Sequence, residues 1–217
     1  NDREVFFVAL HAKSKFVAQG DKLWASTDEE DRNKFISLAV KNRRRIAAEC
    51  SRTRKMIDDI IFSKHDSPLV IVAGDLNDGP GMDFFEEKYL LFDSIDKLMG
   101  SPFYRKKLLQ AILINDKFVA EEDQWTVEFQ DYVDGDKTKR VLLDHIFITQ
   151  EVVRTTHAAG ISHDIYLRHT KDCHPSASRQ KRPSDHIPVF LDFGNEVLTA
   201  TDDKLKATLK KTTSALL

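Results

Sequence analysis

Acidic and histidine side chains stand beside apolar runs at three places in this chain of 217 residues. They are Asp75 with Asn77, Asp144, and the neighbours Asp185 and His186. A carboxylate beside an imidazole can bind a cation, move a proton or contact a phosphate. Because Asp-His pairs are common on protein surfaces, the last pair predicts little alone. The pair indicates a functional site only if these three segments lie close together in the folded chain.

Four apolar runs of strand length would position these side chains. The runs cover 5–10, 69–73, 140–149 and 187–193. The first two are apolar throughout, which predicts buried strands that are covered on both faces. Polar residues follow each of them, His11 after the first and Asp75 after the second. Since α/β proteins place their chemistry at the carboxyl ends of buried strands, we predict site residues there.

The strand predicted at 140–149 carries Asp144 and His145 side by side. Neighbouring residues of a strand face opposite sides, so at most one of the two points toward a shared site. A charge inside an apolar strand is costly to bury unless it is paired. The segment 125–133 predicts a partner strand, and Asp-Gly-Asp at 134–136 predicts the hairpin turn between them.

A long amphipathic helix is predicted between the first two strands. Thr27 and Glu30 fit a capping box at its start, and apolar residues at helical spacing continue to about residue 62. Shorter helices are predicted at 82–88 and 101–114.

One face of the long helix is basic. Residues 41–55 hold seven lysines and arginines, among them Arg44 and Arg45, against the single acid Glu49. Two interpretations stay open, a solvated helix face or a surface that contacts phosphates.

Composition excludes some classes of protein. The net charge of -2 gives no overall field that selects nucleic acid or membrane. No apolar run approaches the ~18–20 residues that span a bilayer, so we expect no membrane span. Cys50 and Cys173 lie far apart and form no metal or redox motif. They indicate either a reducing compartment or indifference to the redox state of the surroundings, and we expect a cytoplasmic protein.

We expect residues 1–195 to form one domain and residues 196–217 a charged amphipathic tail. The polar segment 157–182 holds four histidines and Cys173. It is either a loop or a zinc site, although its spacings match no tight zinc pattern.

Four short motifs, in this order, resemble those of the endonuclease/exonuclease/phosphatase superfamily. They lie at 8–15, 74–78, 143–147 and 184–189, and the resemblance covers about residues 5–194. It implies an α/β (α+β) protein with the four-layer α/β/β/α sandwich of the DNase I-like fold. The implied activity is metal-dependent phosphodiester hydrolysis, most readily that of a nuclease. A lipid or small-molecule phosphodiesterase or phosphatase and a catalytically silent binding module remain alternatives.

The resemblance also implies roles for single residues. Asp75 would orient or deprotonate the attacking water, and Asn77 would hold that water and the phosphate. Asp185, with Asp75, would bind Mg²⁺ or Mn²⁺, which prefer hard oxygen ligands. His11 would be an imidazole that faces the phosphate.

Asp144 would hydrogen-bond His186 and fix its tautomer, and His186 would stabilise the charge that develops on the scissile phosphate. Nucleic acid is the expected partner, because the long helix is basic and lysines follow His11. No exposed aromatic or apolar hairpin that would favour lipid is evident in the sequence. The predicted substrate-binding residues are Lys13, Lys15, Arg44 and Arg45.

One departure from the family pattern concerns the start of the domain. Members of the family carry a longer segment before the strand that bears the histidine, with a metal-binding Glu in it. Glu4 precedes the strand here and cannot replace that residue. A missing N-terminal segment, a second chain that completes the fold, or a reduced and inactive relative would each explain this. We expect little or no metal-dependent hydrolysis by this chain alone.

Overall fold

The computed structural model describes residues 4–170 and 184–194, which form a mixed α/β protein of the α+β class. Its strands are β1 Val5–Ala9, β2 Leu69–Asp75, β3 Leu109–Ala111, β4 Val127–Asp131, β5 Lys137–Val141, β6 Asp144–Thr149, β7 Thr156–Ile161 and β8 Val189–Phe193. Its α-helices are α1 Gly20–Ala25, α2 Glu29–Ile57, α3 Phe84–Tyr89, α4 Asp96–Met99, α5 Gln150–Val153 and α6 His163–Thr170. Short 3-10 helices cover Arg105–Lys107, Ile112–Ile114, Glu121–Asp123 and Tyr132–Asp134.

A four-stranded sheet in the order β1-β2-β6-β3 forms the centre of the structure. β1 runs parallel to β2, whereas β6 runs antiparallel to both of its neighbours. Gly74 in β2 has a φ of 147°, and a Cβ there would collide with the carbonyl oxygen of Leu10. A glycine therefore lets the end of β1 approach the end of β2 closely.

Helix α2 covers one face of this sheet, as its apolar stripe predicts. Ile46, Cys50 and Ile57 are buried in the same core cluster as Val70 and Phe147. The helix continues from Ile57 into a π-helical turn, Asp58–Phe62. A stripe at helical spacing thus locates the helix and the face that it buries.

The predicted helix cap was wrong by one residue. Asp28, not Thr27, is the N-cap, and its side chain accepts from the amide of Glu30 at 2.9 Å. Asp and Thr cap almost equally well, so adjacent candidates cannot be separated by residue type.

The two-stranded sheet β7-β8 covers part of the other face. Leu69, Ile71 and Ile148 pack there with Val189 and Leu191. The prediction of strands covered on both faces is confirmed for β2, whose first four residues are all buried.

The same prediction was wrong for β1. Val5 is 42% exposed and Phe7 is 65% exposed on the strand's outer face. β1 lies at the edge of the central sheet. Within the described residues, the sheet β7-β8 does not extend over that face.

Three further predictions were corrected. The helix expected at 101–114 is a turn followed by a 3-10 helix and β3. The strand expected at 140–149 breaks after Val141, so that β5 pairs with β4 while β6 joins the central sheet. The loop expected at 157–182 begins as β7 and α6. The helix expected at 82–88 is confirmed as α3.

Some sequence features fall outside the described residues. These include Cys173, His174 and the tail 196–217. Among the helices that the structure describes, none has the length and apolar character to cross a bilayer.

Candidate hydrolytic site

Three of the predicted site residues meet at one end of the central sheet. Asp75, Asp144 and His186 each offer one ligand atom, and these atoms lie within 4.8 Å of one another. The pairing of β2 with β6 brings the two carboxylates together, because Asp75 and Asp144 lie directly opposite each other in the register of these strands. His186 approaches from the segment that precedes β8.

Asp144 orients the imidazole of His186. The Oδ2 atom of Asp144 lies 2.7 Å from Nδ1 of His186. A carboxylate in this place favours the tautomer with the proton on Nδ1, which leaves the lone pair of the neutral ring on Nε2. The amide of His186 donates to Oγ of Ser184 at 2.9 Å, so both the ring and its backbone are held.

Asn77 holds the carboxylate of Asp75 in place. Its backbone amide donates to Oδ1 of Asp75 at 2.8 Å, and its side-chain amide donates to Oδ2 at 3.0 Å. The same side chain also donates to the carbonyl of Ala12 at 3.1 Å. Asn77 has a φ of 53°, a left-handed conformation that Asn tolerates better than most residues.

His11 reaches the same carboxylate from the end of β1. Its Nε2 lies 3.5 Å from Oδ2 of Asp75, and its side chain is 79% exposed. The amide of Ala12 donates to the carbonyl of Asp75 at 2.9 Å. The structure therefore brings His11 to the edge of the cluster, where the imidazole is open to solvent.

Asp185 is next to the cluster in sequence but does not belong to it. It is exposed, and the group of three ligand atoms does not include its carboxylate.

The alternation of β6 places Asp144 and His145 as expected. Asp144 joins the cluster, while His145 is buried on the other side with Nε2 2.8 Å from the carbonyl of Asp78. Burial lowers the pKa of His145, so the ring stays neutral at ordinary pH. His145 thus belongs to the core and not to the site.

Lys15 is engaged by carboxylates of its own chain. Its ammonium pairs with Asp78, with Oδ2 of Asp83 at 2.8 Å and with Oε2 of Glu86 at 3.6 Å. Burial would lower the pKa of Lys15, but the three carboxylates outweigh it and raise that pKa. Arg43 binds Asp83 with two nitrogens at 2.6–2.9 Å.

The other predicted phosphate contacts lie near α2. Lys13 donates from its ammonium to the carbonyl of Ser14 and from its amide to Glu49. Arg45 pairs with Glu49 at 3.1 Å, whereas Arg44 is exposed. Of the four predicted substrate-binding residues, Lys13 and Arg44 are therefore the ones whose charge is not paired within the described residues.

Thr126 is a positioning residue that the sequence did not reveal. Its Oγ1 accepts from the amides of Leu143 and Asp144 at 3.0 and 3.2 Å, and its carbonyl accepts from the amide of Ile187 at 2.8 Å. One fully buried residue thus joins the backbones that carry Asp144 and His186. A threonine just before β4 gives no signal of this, because the link depends on tertiary contacts.

The donor chemistry of the site fits a hard cation. Mg²⁺ in proteins is held by one or two carboxylates and keeps several waters. Asp75 offers such a carboxylate, and Asp144 lies opposite but is engaged by His186. Neither Asp75 nor Asp144 pairs with a lysine or arginine among the residues described.

Comparison of the chain with models of known protein families and with curated proteins finds no match. The membership inferred from the four motifs therefore stays a prediction from the residues.

Proposed function

We propose that this chain contributes the catalytic site of a divalent-metal-dependent phosphodiester hydrolase that acts on nucleic acid. The observation that carries the proposal is the 2.7 Å contact between Asp144 and His186 beside the carboxylate of Asp75. Three separate segments supply these residues. Such convergence of titratable groups at a strand end supports a reactive site more strongly than any one motif.

Each residue has a role that its contacts allow. Asp75 orients the attacking water or takes its proton, and Asn77 keeps that carboxylate in one orientation. His186, fixed through Nδ1 by Asp144, contacts the phosphate through Nε2. The exposed ring of His11 is a second contact for the phosphate. Hydrolysis of a diester depends mainly on such positioning and charge stabilisation.

Mg²⁺ or Mn²⁺ held by Asp75 would supply positive charge for the phosphate oxygens. Asp185 precedes His186 but lies outside the cluster, so it is not counted among the ligands. The support is the excess of negative charge at the cluster. Lys13 and Arg44 are proposed contacts for the flanking phosphates, because each leaves its charge available. Lys15 is left out, since it is surrounded by carboxylates.

We propose that further polypeptide completes the fold as a DNase I-like four-layer sandwich. Val5 and Phe7 support this, because they form an exposed apolar face on β1 beside a sheet that is otherwise covered. A segment outside this sequence or a second chain would cover them. The same polypeptide would supply the metal-binding Glu that the family pattern implies.

We also propose a reducing, cytoplasmic location. The support is Cys50, which is a free thiol buried against the sheet. Burial raises the pKa of Cys50 to about 12, so the thiol is unreactive.

A Mg²⁺-dependent assay with a generic diester and with DNA tests the proposal. We expect slow hydrolysis by this chain that requires Mg²⁺ and is lost in Asp75→Asn. Asp192→Asn is the matched control, because Asp192 is exposed on β8, pairs with Ala158 of β7 and is not one of the three clustered ligand residues. Metal-dependent hydrolysis that persists in Asp75→Asn would refute the proposed site.

A silent binding module is the second candidate. It is favoured by the small number of ligands, because the cluster holds only two carboxylates and one of them is engaged by His186. Nucleic-acid binding in EDTA without any hydrolysis in Mg²⁺ would support this candidate. The salt dependence of binding would then report the number of phosphate contacts.

A further inference from the structure

An exposed aromatic and basic loop lies between α4 and β3. We call residues 101–107 the aromatic–basic loop. Phe103 is 91% exposed and Tyr104 is 69% exposed. Arg105, Lys106 and Lys107 follow directly and are exposed as well. Two neighbouring exposed aromatic rings that are bordered by three cations are typical of a surface that binds a partner or a membrane.

All charged side chains of this loop are positive. From Lys97 to Lys107 the chain holds four cations and no acidic residue. Within residues 4–170 and 184–194, no ion pair involves Arg105, Lys106 or Lys107. The loop therefore presents uncompensated positive charge and fits an anionic partner.

The base of the loop is anchored on α2. Gly100 has a φ of 87°, and the guanidinium of Arg54 occupies the space where a side chain would be. Arg54 donates to the carbonyl of Met99 at 2.8 Å. Within the loop, the amide of Tyr104 donates to the carbonyl of Ser101 at 3.1 Å. The two aromatic rings are thus presented on a structured turn.

The loop and the candidate site lie at opposite ends of the central sheet. The loop leads into Leu109, which pairs with Thr149 at the far end of β6. Asp144 stands at the other end of that strand. Five steps along a strand separate these positions, which is roughly 17 Å.

We propose that the aromatic–basic loop binds the surface of an anionic lipid membrane. Aromatic rings partition to the headgroup level of a bilayer, and each nearby lysine or arginine adds attraction to anionic lipids. A single-stranded nucleic acid fits less well, because such strands lie in charged grooves that follow the backbone. Here Phe103 and Tyr104 protrude, and a strand held at the hydrolytic site would have to run along the sheet to reach them.

This attachment has a consequence for the candidate site. The cluster of Asp75, Asp144 and His186 is at the end of the sheet that would face away from the membrane. Phosphodiesters in solution would reach it, and headgroups of the same bilayer would not. The inference does not depend on the hydrolytic activity, since it rests on a separate surface.

Flotation of the full chain with vesicles tests the proposal. We expect binding to phosphatidylcholine vesicles that contain phosphatidylserine, and none to phosphatidylcholine alone. Replacing Arg105, Lys106 and Lys107 together with Gln should weaken partitioning roughly 100-fold, given the attraction of each cation near an anionic surface. Phe103→Ser should weaken it roughly tenfold.

A matched control removes the same charge elsewhere. Lys34→Gln, Lys41→Gln and Arg52→Gln together neutralise three exposed cations of α2, and we expect this variant to keep its binding. Absence of binding to the anionic vesicles, or equal losses in both triple variants, would overturn the proposal. It would also fail if the loop variant bound vesicles normally but lost binding to single-stranded DNA. If the loop variant loses binding to anionic vesicles but keeps its rate of diester hydrolysis, membrane binding and the proposed hydrolytic function are independent of each other.

Discussion

Two groups of acidic side chains, one of them just after β2 and the other at the ends of β2 and β6, differ in what balances their charge. Asp78, Asp83 and Glu86 surround the ammonium of Lys15, and Arg43 adds a second cation. These charges are paired within the chain. We call them the ion-paired cluster.

The candidate cluster, Asp75, Asp144 and His186, has no lysine or arginine partner within residues 4–170 and 184–194. Its carboxylates contact the amide of Asn77 and the imidazoles of His11 and His186. An uncompensated pair of carboxylates at a strand end is costly unless a partner arrives. The contrast indicates which acids stabilise the fold and which are available for a metal or substrate.

The largest expected effect is on hydrolysis at the second cluster. His186→Ala or Asp144→Asn should each lower the rate of Mg²⁺-dependent diester hydrolysis by about 10²–10⁴-fold. Because the two residues act through one hydrogen bond, the double variant should hydrolyse the diester no more slowly than the less active of the two single variants.

Initial rates for the four proteins check this prediction. His65→Ala is a suitable control, since its ring packs on Phe6, away from both clusters. Fully additive losses in the double variant would show that Asp144 does not act through His186.

Removal of the cation from the ion-paired cluster should instead destabilise the fold. Lys15→Met leaves Asp78 and Glu86 buried without their partner, at a cost of about 3–5 kcal/mol in the free energy of unfolding. Urea denaturation measures this. Lys13→Met is the matched control and should cost little, because among the described residues the Lys13 ammonium donates only to the carbonyl of Ser14. Equal stability of Lys15→Met and wild type would remove the distinction between the clusters.

A smaller effect is expected at the residue that joins the two backbones of the site. Thr126→Val deprives the amides of Leu143 and Asp144 of their acceptor, which costs about 1–3 kcal/mol. Thr126→Ser keeps the hydroxyl and should restore most of that stability and the rate of hydrolysis. If valine and serine behave alike, the hydroxyl does not position Asp144.

The smallest expected effect is the pH-dependent contribution of Asp83 to the free energy of unfolding. Burial would raise the pKa of Asp83, but hydrogen bonds and charges from Arg43 and Lys15 outweigh it and hold the pKa well below the usual range. A carboxyl with a lowered folded pKa adds stability above its unfolded pKa of about 4, and this stability is lost as the pH falls through the folded pKa.

Asp83→Asn should therefore cost about 1 kcal/mol at neutral pH, a value discounted for its partial exposure. The difference from wild type should shrink only in strongly acidic solution. Thermal unfolding across this range measures it, and a difference that vanished already near pH 6 would contradict the assignment.

The sequence located most of what depends on local pattern. The run before Asp75 predicts β2, and strand alternation correctly separates Asp144 from His145. The apolar stripe predicts α2 and its buried face. These features follow from periodicities that a single segment carries.

Features that depend on distant contacts were not predicted. Lys15 looked like a phosphate contact because its carboxylate partners come from α3 and the loop before it. Segment 101–114 has apolar residues at helical spacing, yet it forms the exposed loop and the edge strand β3. Tertiary context overrides such short patterns.

An anomalous difference map from crystals soaked in Mn²⁺ tests the distinction between the clusters most directly. The account predicts a peak within coordination distance of the Asp75 carboxylate, and none among Asp78, Asp83 and Glu86, where Lys15 already supplies the charge. A peak in the ion-paired cluster, or no peak beside Asp75, would contradict it.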